Sequence, residues 1–564
     1  MGKRYHPPIT ADFDEAMRKF AHFKRYVAKV SAELGTPTFV LELNKKMAQE
    51  DLPNYIYPVG DPIFIHIYRK GKEQIKYHVI EPEIDDKDLE LYGKILDRLV
   101  EIGNVLPVPI NILEMDKVLV ELYNMIVEVT KNGNPGSSGK KGKGLVSTIT
   151  NLLNPGKKIQ ITQEQYDIVK YFLIRNRIGY GKLEPLFTDP YIEDIPCTGV
   201  GAIHMVHKVF EMVETSIVFK DDLELNKYLI EVSERVERPV SDAHAVVDAI
   251  MPDGSRVNFI YSRAISQEGS SFTVRKFSEV PVSISQVVNW GTMSAQVASY
   301  MWLCLENGMN VFVCGETASG KTTSLNAMCT FIKPDDKIYS VENTPEVTMP
   351  HSTWQHLVTR EAGKSSDVTY LDLLIAALRS RPNYIIVGEI RGSEGNIAFQ
   401  AMQTGHPVMS TFHAGNVQTM IQRLNGQPIN IPKAFMSNLN VVLIQMAVFH
   451  NGHFLRRVLS VTEIERYYDP ADKVITREVF SWDPVKDVHE FKGMYNSYIL
   501  ETKIARMLGY ADTRKIYEEL AFREKIIKLL IKHKIFNYFD VWEIIKNFHY
   551  GGAATLPFDV HEPV

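Results

Sequence analysis

Glycine, lysine and a hydroxyl recur at fixed offsets in Gly315-Glu316-Thr317-Ala318-Ser319-Gly320-Lys321-Thr322, a segment entered from the apolar run Val311-Phe-Val-Cys314. Residue types in this order hold phosphate. Gly315 and Gly320 are expected at φ > 0, so that loop N–H groups curl around phosphate oxygens while a helix starting near Lys321 turns its positive end toward them. Lys321 then reaches the β and γ phosphates, Thr322 offers its hydroxyl to Mg2+, and Thr323 continues into the helical stretch Thr323-Ser-Leu-Asn-Ala-Met328. The order of strand, loop and helix is the one this motif requires, so the segment is expected to bind a nucleoside triphosphate.

Phosphoryl transfer to water also needs a fixed cation and a positioned nucleophile. The apolar run Tyr384-Ile-Ile-Val-Gly388-Glu389 has the character of a Walker B strand. Gly388 stands where many NTPases carry a magnesium-binding Asp, which leaves Glu389 as the carboxylate to orient or deprotonate the attacking water. Ile338-Tyr-Ser-Val-Glu342-Asn-Thr-Pro-Glu346 runs from a strand into a turn. Its two acids are expected to supply what Gly388 does not, with Glu342 joining Thr322 as a metal ligand. His406 and His413, in Thr404-Gly-His406-Pro-Val-Met-Ser-Thr411-Phe-His413, flank a short strand. With no third ligand at useful spacing, they read as polar sensors of the γ-phosphate rather than a metal pair.

These groups must be carried at the ends of neighbouring strands. The runs at 311–314, 338–341, 384–387 and 408–411 alternate with helical stretches, the βαβ rhythm of an α/β fold with a parallel sheet covered on both faces. Ahead of them we read helices and a β-hairpin over 1–130, with the hairpin turning at Arg69-Lys-Gly-Lys72 and helices at about 86–102 and 113–130. A flexible Gly/Lys segment follows over 131–144. The N-terminal domain resumes over 145–280, a hinge spans 281–290, and the nucleotide-binding domain occupies 291–564 with a helical tail from about 470.

With 564 residues, 45% of them hydrophobic, the chain has ample material for several packed cores. A net charge of -5 argues against a chain that coats nucleic acid. The four cysteines, at 197, 304, 314 and 329, form no CxxC pair, which excludes a disulfide framework or zinc ribbon and fits a reducing cytoplasm. Met1-Gly-Lys-Arg-Tyr-His6 has no apolar h-region, and no apolar stretch is long enough to span a membrane, so membrane association is expected through a partner or a surface patch. Lys140, Lys141, Lys143, Lys157 and Lys158, with the basic helix near residues 13–26, are candidates to meet acidic headgroups or an acidic loop of a platform protein.

The combination of Gly-Glu-Thr-Ala-Ser-Gly-Lys-Thr-Thr at 315–323, Val-Glu-Asn-Thr-Pro-Glu at 341–346, Gly-Glu-Ile-Arg-Gly at 388–392 and the histidine segment at 404–415 resembles the type II/type IV secretion ATPase superfamily, and within it the archaeal branch of archaellum motor ATPases. The resemblance covers roughly 160–470. It implies a RecA-like ATPase core joined by a hinge to a separate α+β N-terminal domain, with ATP and Mg2+ as cofactors. The 341–346 segment becomes the acidic box, Glu389 the catalytic glutamate, and 404–415 the histidine box. Asp253-Gly-Ser-Arg256 and Ser271-Phe-Thr-Val-Arg275 are similar to the segments that supply arginines to the ATP site, where such a group accelerates phosphoryl transfer by about 10³–10⁵. The resemblance further implies a cytoplasmic homo-oligomer, a hexamer, at the inner face of the cell membrane. Its partners would be a polytopic platform protein and other cytoplasmic components of an archaellum or pilus-like filament, with no nucleic acid. The bacterial relatives' tetracysteine module is absent here. Two rivals share the P-loop: a RecA-like nucleic-acid translocase, against which the acidic balance counts, and a nucleotide-gated assembly scaffold.

Overall fold

The computed structural model describes residues 8–44, 47–103, 112–131, 134–135, 158–277, 280–360, 367–450 and 453–563. The chain divides into two compact units, residues 1–277 and 278–564. Apart from Lys131, Asn134 and Pro135, the Gly/Lys segment 131–144 lies outside the described residues, as do Lys140, Lys141, Lys143 and Lys157; Lys158 donates to the Asn124 carbonyl at 3.2 Å. No helix among the described residues is long and apolar enough to cross a membrane.

The first unit is built on one ten-stranded sheet. Its order is Thr38–Phe39, Asn54–Gly60, Ile63–Tyr68, Lys76–Ile80, Glu211–Phe219, Gly201–His207, Ile192–Cys197, Ser271–Arg275, Arg256–Ile260 and Val246–Ile250. The hairpin expected at 69–72 is present, with Tyr68 opposite Lys76. Segments on either side of 131–144 meet where Lys76–Ile80 runs parallel to Glu211–Phe219, and Lys76 Nζ lies 2.7 Å from Glu214 Oε2. Nearby, the fully buried Asp189 accepts hydrogen bonds from the hydroxyls of Tyr57 at 2.6 Å and Tyr77 at 2.7 Å. A carboxylate tolerates such burial only when its oxygens are satisfied. The two parts expected on either side of 131–144 therefore share one sheet and one core. The helix expected over 113–130 stops at Ile126, and Val127–Lys131 continues as a strand parallel to Ile159–Ile161, in keeping with its alternating β-branched residues.

The second unit holds a nine-stranded sheet in the order Trp354–Val358, Ile338–Glu342, Tyr384–Ile390, Val408–Phe412, Val311–Cys314, Val441–His450, His453–Tyr468, Lys473–Asp483 and Val488–Phe491. The first six are mutually parallel; the last three join antiparallel. Val311–Cys314 is buried at every position, which is why it reads as an unbroken apolar run; Val408–Phe412 is equally buried, with the Ser410 and Thr411 hydroxyls donating to backbone carbonyls. Separate apolar cores lie on the two faces of the sheet: one around the helix Ala295–Glu306, the other around Glu394–Gln403 and Val417–Asn425. This is the α/β, RecA-like core.

Two boundaries differ from the sequence expectation. Within 281–290, the segment expected as a hinge, Ser283 caps the helix Ile284–Asn289 through a capping box with Gln286, Ile284 is fully buried, and the Ser285 hydroxyl donates to the Ile535 carbonyl at 2.7 Å. The division between units falls earlier, after Phe277. The tail is not helical from 470. Lys473–Asp483 and Val488–Phe491 extend the sheet, and only then do Tyr498–Ile504, Ile516–Lys532 and Tyr538–Gly551 form helices.

Candidate active site

Parallel strands place the residues that follow each of them along one edge of the sheet. Gly315 after Val311–Cys314, Glu389 near the end of Tyr384–Ile390 and His413 after Val408–Phe412 therefore share an edge. In the P-loop, Gly320 takes φ 88° and caps the helix Lys321–Met328 with no side chain on the helix's first N–H groups, leaving them for an anion. The other residue at positive φ is Ala318, at 61°, whereas Gly315 is not in that region. Gly315 is required for another reason: a Cβ there would lie 2.1 Å from the Gln445 carbonyl oxygen and 2.5 Å from Ser319 Oγ. Lys321 Nζ donates to the Glu316 carbonyl at 2.7 Å, bending back over the loop. Burial pushes its ammonium below the usual range, while Glu389 and Glu346 pull the other way. Thr322 is half-buried in the first helical turn; Thr317 and Thr323 are exposed.

Gly388 lies where the pairing of Tyr384–Ile390 with Val408–Phe412 shifts register, between Val387 and Glu389. A bulge re-aims the side chain beside it. The Thr411 hydroxyl fixes this one by donating to the Gly388 carbonyl at 2.6 Å. A Cβ on Gly388 would stand 2.9 Å from Glu342 Cγ, so glycine here makes room for that side chain. Glu342 is 2% exposed, and both of its oxygens are engaged: Oε1 accepts the N–H groups of Glu346 and Val347, each at 2.9 Å, and Oε2 lies 2.6 Å from His356 Nε2. It shapes the acidic loop from within. Glu346 and Arg391 lie within electrostatic reach of Lys321, as does Glu389. Glu389, its side chain 31% exposed, accepts from Arg391 at 2.7 Å, and that bond holds the guanidinium above its already high value.

The structure separates the two histidines. His413 lies at the P-loop edge, its carbonyl accepting from Arg423. His406 precedes Val408–Phe412 and so sits at the opposite edge, about 20 Å away along the strand, with Nδ1 3.1 Å from the Thr404 hydroxyl. It cannot sense a phosphate in the P-loop of its own chain. Arg256 and Arg275 belong to the first unit, where they face one another directly on adjacent antiparallel strands. Like charges in that register repel; Asp194, 3.2 Å from Arg275 Nε, offsets part of the repulsion.

Several site residues escaped the sequence reading. Gln445 Nε2 donates to the Ser319 carbonyl at 2.8 Å and Arg456 Nε to the Ala318 carbonyl at 3.0 Å, so two side chains from the 441–468 hairpin hold the P-loop backbone. Arg391 was visible only as part of a motif, and Glu394 clamps its loop by accepting the N–H groups of Arg391 at 2.5 Å and Gly392 at 2.6 Å. Only Arg391 had a sequence cue, its place two residues after Glu389.

The cradle fits a nucleoside triphosphate, since the uncapped helix terminus and the loop glycines leave donors for phosphate. Thr322 fits a divalent cation beside it. Glu342, with both oxygens satisfied, does not fit as a direct metal ligand. Residues 177–475 match a family described as type II/IV secretion system protein. An uncharacterised protein of Methanocaldococcus jannaschii is 50% identical over 553 residues, covering 98% of this chain and 99% of that one. The type IV secretion system protein VirB11 of Brucella suis is 26% identical over 272 residues, covering 42% of this chain and 75% of VirB11. Among solved structures, the Legionella pneumophila ATPase DotB aligns over 65% of this chain and 94% of its own at 16% identity, with a TM-score of 0.38.

Proposed function

The chain belongs to the type II/IV secretion system protein family, and from that premise we propose that it is an ATP-hydrolysing, ring-forming, Mg2+-dependent motor acting on a membrane-embedded platform. The reading rests on one group of side chains: Lys321, Glu346, Glu389 and Arg391 gathered at the mouth of the P-loop. Loop N–H groups and Lys321 bind the phosphates. Glu389 sits at a solvent-reached strand end and accepts a proton from, or orients, the attacking water. Arg391, 2.7 Å away, holds the Glu389 carboxylate aimed. Thr322 would hold Mg2+, which would supply charge neutralisation on the phosphate oxygens. Glu342 acts as a positioning residue for the acidic loop, His413 is assigned as the polar group nearest the γ-phosphate, and Arg256 and Arg275 are assigned to stabilise charge on the transferring phosphoryl group.

By the sequence resemblance, the load is an archaellum or a related type IV pilus-like filament, the ring is a hexamer, and the platform is a polytopic membrane protein. Glu389→Gln is expected to leave ATP affinity within about threefold and to lower phosphate release by about 10²–10⁴. Calorimetry and a phosphate-release assay read the two quantities, and near-parent turnover would remove Glu389 as the base. In cells, the same substitution is expected to abolish surface filaments; intact filaments would assign another load.

A further inference from the structure

We propose that Phe449 and Phe454 form the platform on which the base of the bound nucleotide stacks. The strands Val441–His450 and His453–Tyr468 are antiparallel, with Phe449 directly opposite Phe454 and Ala447 opposite Arg456. Side chains two residues apart on a strand share a face, so Arg456 and Phe454 point the same way, and Ala447 and Phe449 answer them across the pair. This face meets the P-loop. Arg456 Nε donates to the Ala318 carbonyl at 3.0 Å, and Arg456 Cδ would lie 3.1 Å from a Cβ on Gly320. The two rings stand about 7 Å farther along the strands than the group that touches the loop.

They are also uncovered. Phe449 is 77% exposed and Phe454 56%, whereas Val458 and Val461, nearer the sheet, are fully buried. The apolar pair continues directly from the phosphate cradle, and the ligand of that cradle carries an aromatic base one ribose away from its phosphates. Its flat, apolar face matches two phenyl rings that offer no hydrogen bonds. Such a platform recognises a base by stacking and discriminates weakly among bases, because every base presents a π face.

The platform presupposes a nucleotide in the P-loop, and its test separates the two ideas. Calorimetry on the full chain compares ADP with inorganic tripolyphosphate, which has the anionic groups and no base. In the double variant Phe449→Ala/Phe454→Ala, ADP affinity is expected to fall roughly five- to hundredfold, with tripolyphosphate affinity unchanged, and Phe454→Trp in the Phe449→Ala background is expected to recover most of the loss. Unchanged ADP affinity in the double variant, or equal loss for both ligands, overturns the platform alone. A parent chain that binds neither ligand overturns the P-loop reading and the platform with it. Weakened self-association by sedimentation, with ADP affinity intact, overturns the platform by assigning the rings to a contact between copies.

Discussion

Gly388 and Glu342 form a single device made of two residues distant in sequence. The glycine has no side chain because the glutamate's methylene occupies that space, and the glutamate in turn holds the N–H groups of Glu346 and Val347. A methyl at 388 must displace Glu342 Cγ from 2.9 Å, and the backbone that would have to yield carries Glu389. Gly388→Ala is therefore expected to lower kcat at least tenfold and to destabilise the second unit by about 1–3 kcal/mol, since overpacking and lost buried hydrogen bonds act together. Turnover and urea unfolding measured on one preparation check this. A variant equal to the parent in both would show that Glu342 has room to move.

The helical tail is attached to the ATPase sheet through the helix Ala295–Glu306. Arg523, on Ile516–Lys532, lies 2.8 Å from Glu306, with both side chains largely buried, and its guanidinium lies over Trp302 at 5.4 Å. Removing one partner of a buried pair strands the other, at a cost of about 3–5 kcal/mol, although His549, 3.2 Å from Glu306, offsets part of it. Arg523→Ala is expected to lower the unfolding free energy of the second unit by about 3 kcal/mol, and Arg523→Met with Glu306→Gln to recover much of that; denaturant titration reads both. How far such elements are legible depends on where their stabilisation comes from. The strand Val311–Cys314 and the Tyr384–Val387 stretch could be read because they are buried on both faces and so are apolar without interruption. At 281–290, Pro281 and Trp290-Gly291 resemble a break, while the cue for the short helix was the Ser283 to Gln286 capping box between them. His406 misled because spacing within a motif says nothing about edges. In a parallel sheet, residues before and after a strand lie at opposite ends, and that rule was available from sequence. The clamps from Gln445 and Arg456 to the P-loop had no cue at all, since they depend on which strand lies next to Val311–Cys314 and on a register shift at Gln445.

Both units bury neutral histidines, and this sets how the whole molecule responds to acid. His207 in the first unit is pushed down to about 4 by burial; its Nδ1 accepts the N–H groups of Val209 at 3.1 Å and Phe210 at 3.2 Å, bonds that a proton on that nitrogen would break. In the second unit, burial pushes His351 and His489 down to about 4, and each has one ring nitrogen buried without a partner. The unfolded chain takes up these protons near pH 6.5, whereas the folded chain resists them until about 4. The contribution of each group is thus complete above about 6.5 and is lost as pH falls toward 4, by at most about 3 kcal/mol per histidine. Urea unfolding at neutral pH and at pH 5, followed by hydrogen exchange resolved to peptides of each unit, is expected to show both units weakening. His207→Asn, whose side-chain oxygen still accepts the two N–H groups, is expected to lessen the response of residues 1–277, where burial also lowers His22 and His78 and pushes His66 down to about 3, and to leave that of 278–564 as in the parent. A first unit whose parent midpoint is the same at pH 5 as at neutral pH would mean that the imidazole of His207 is not held neutral by folding.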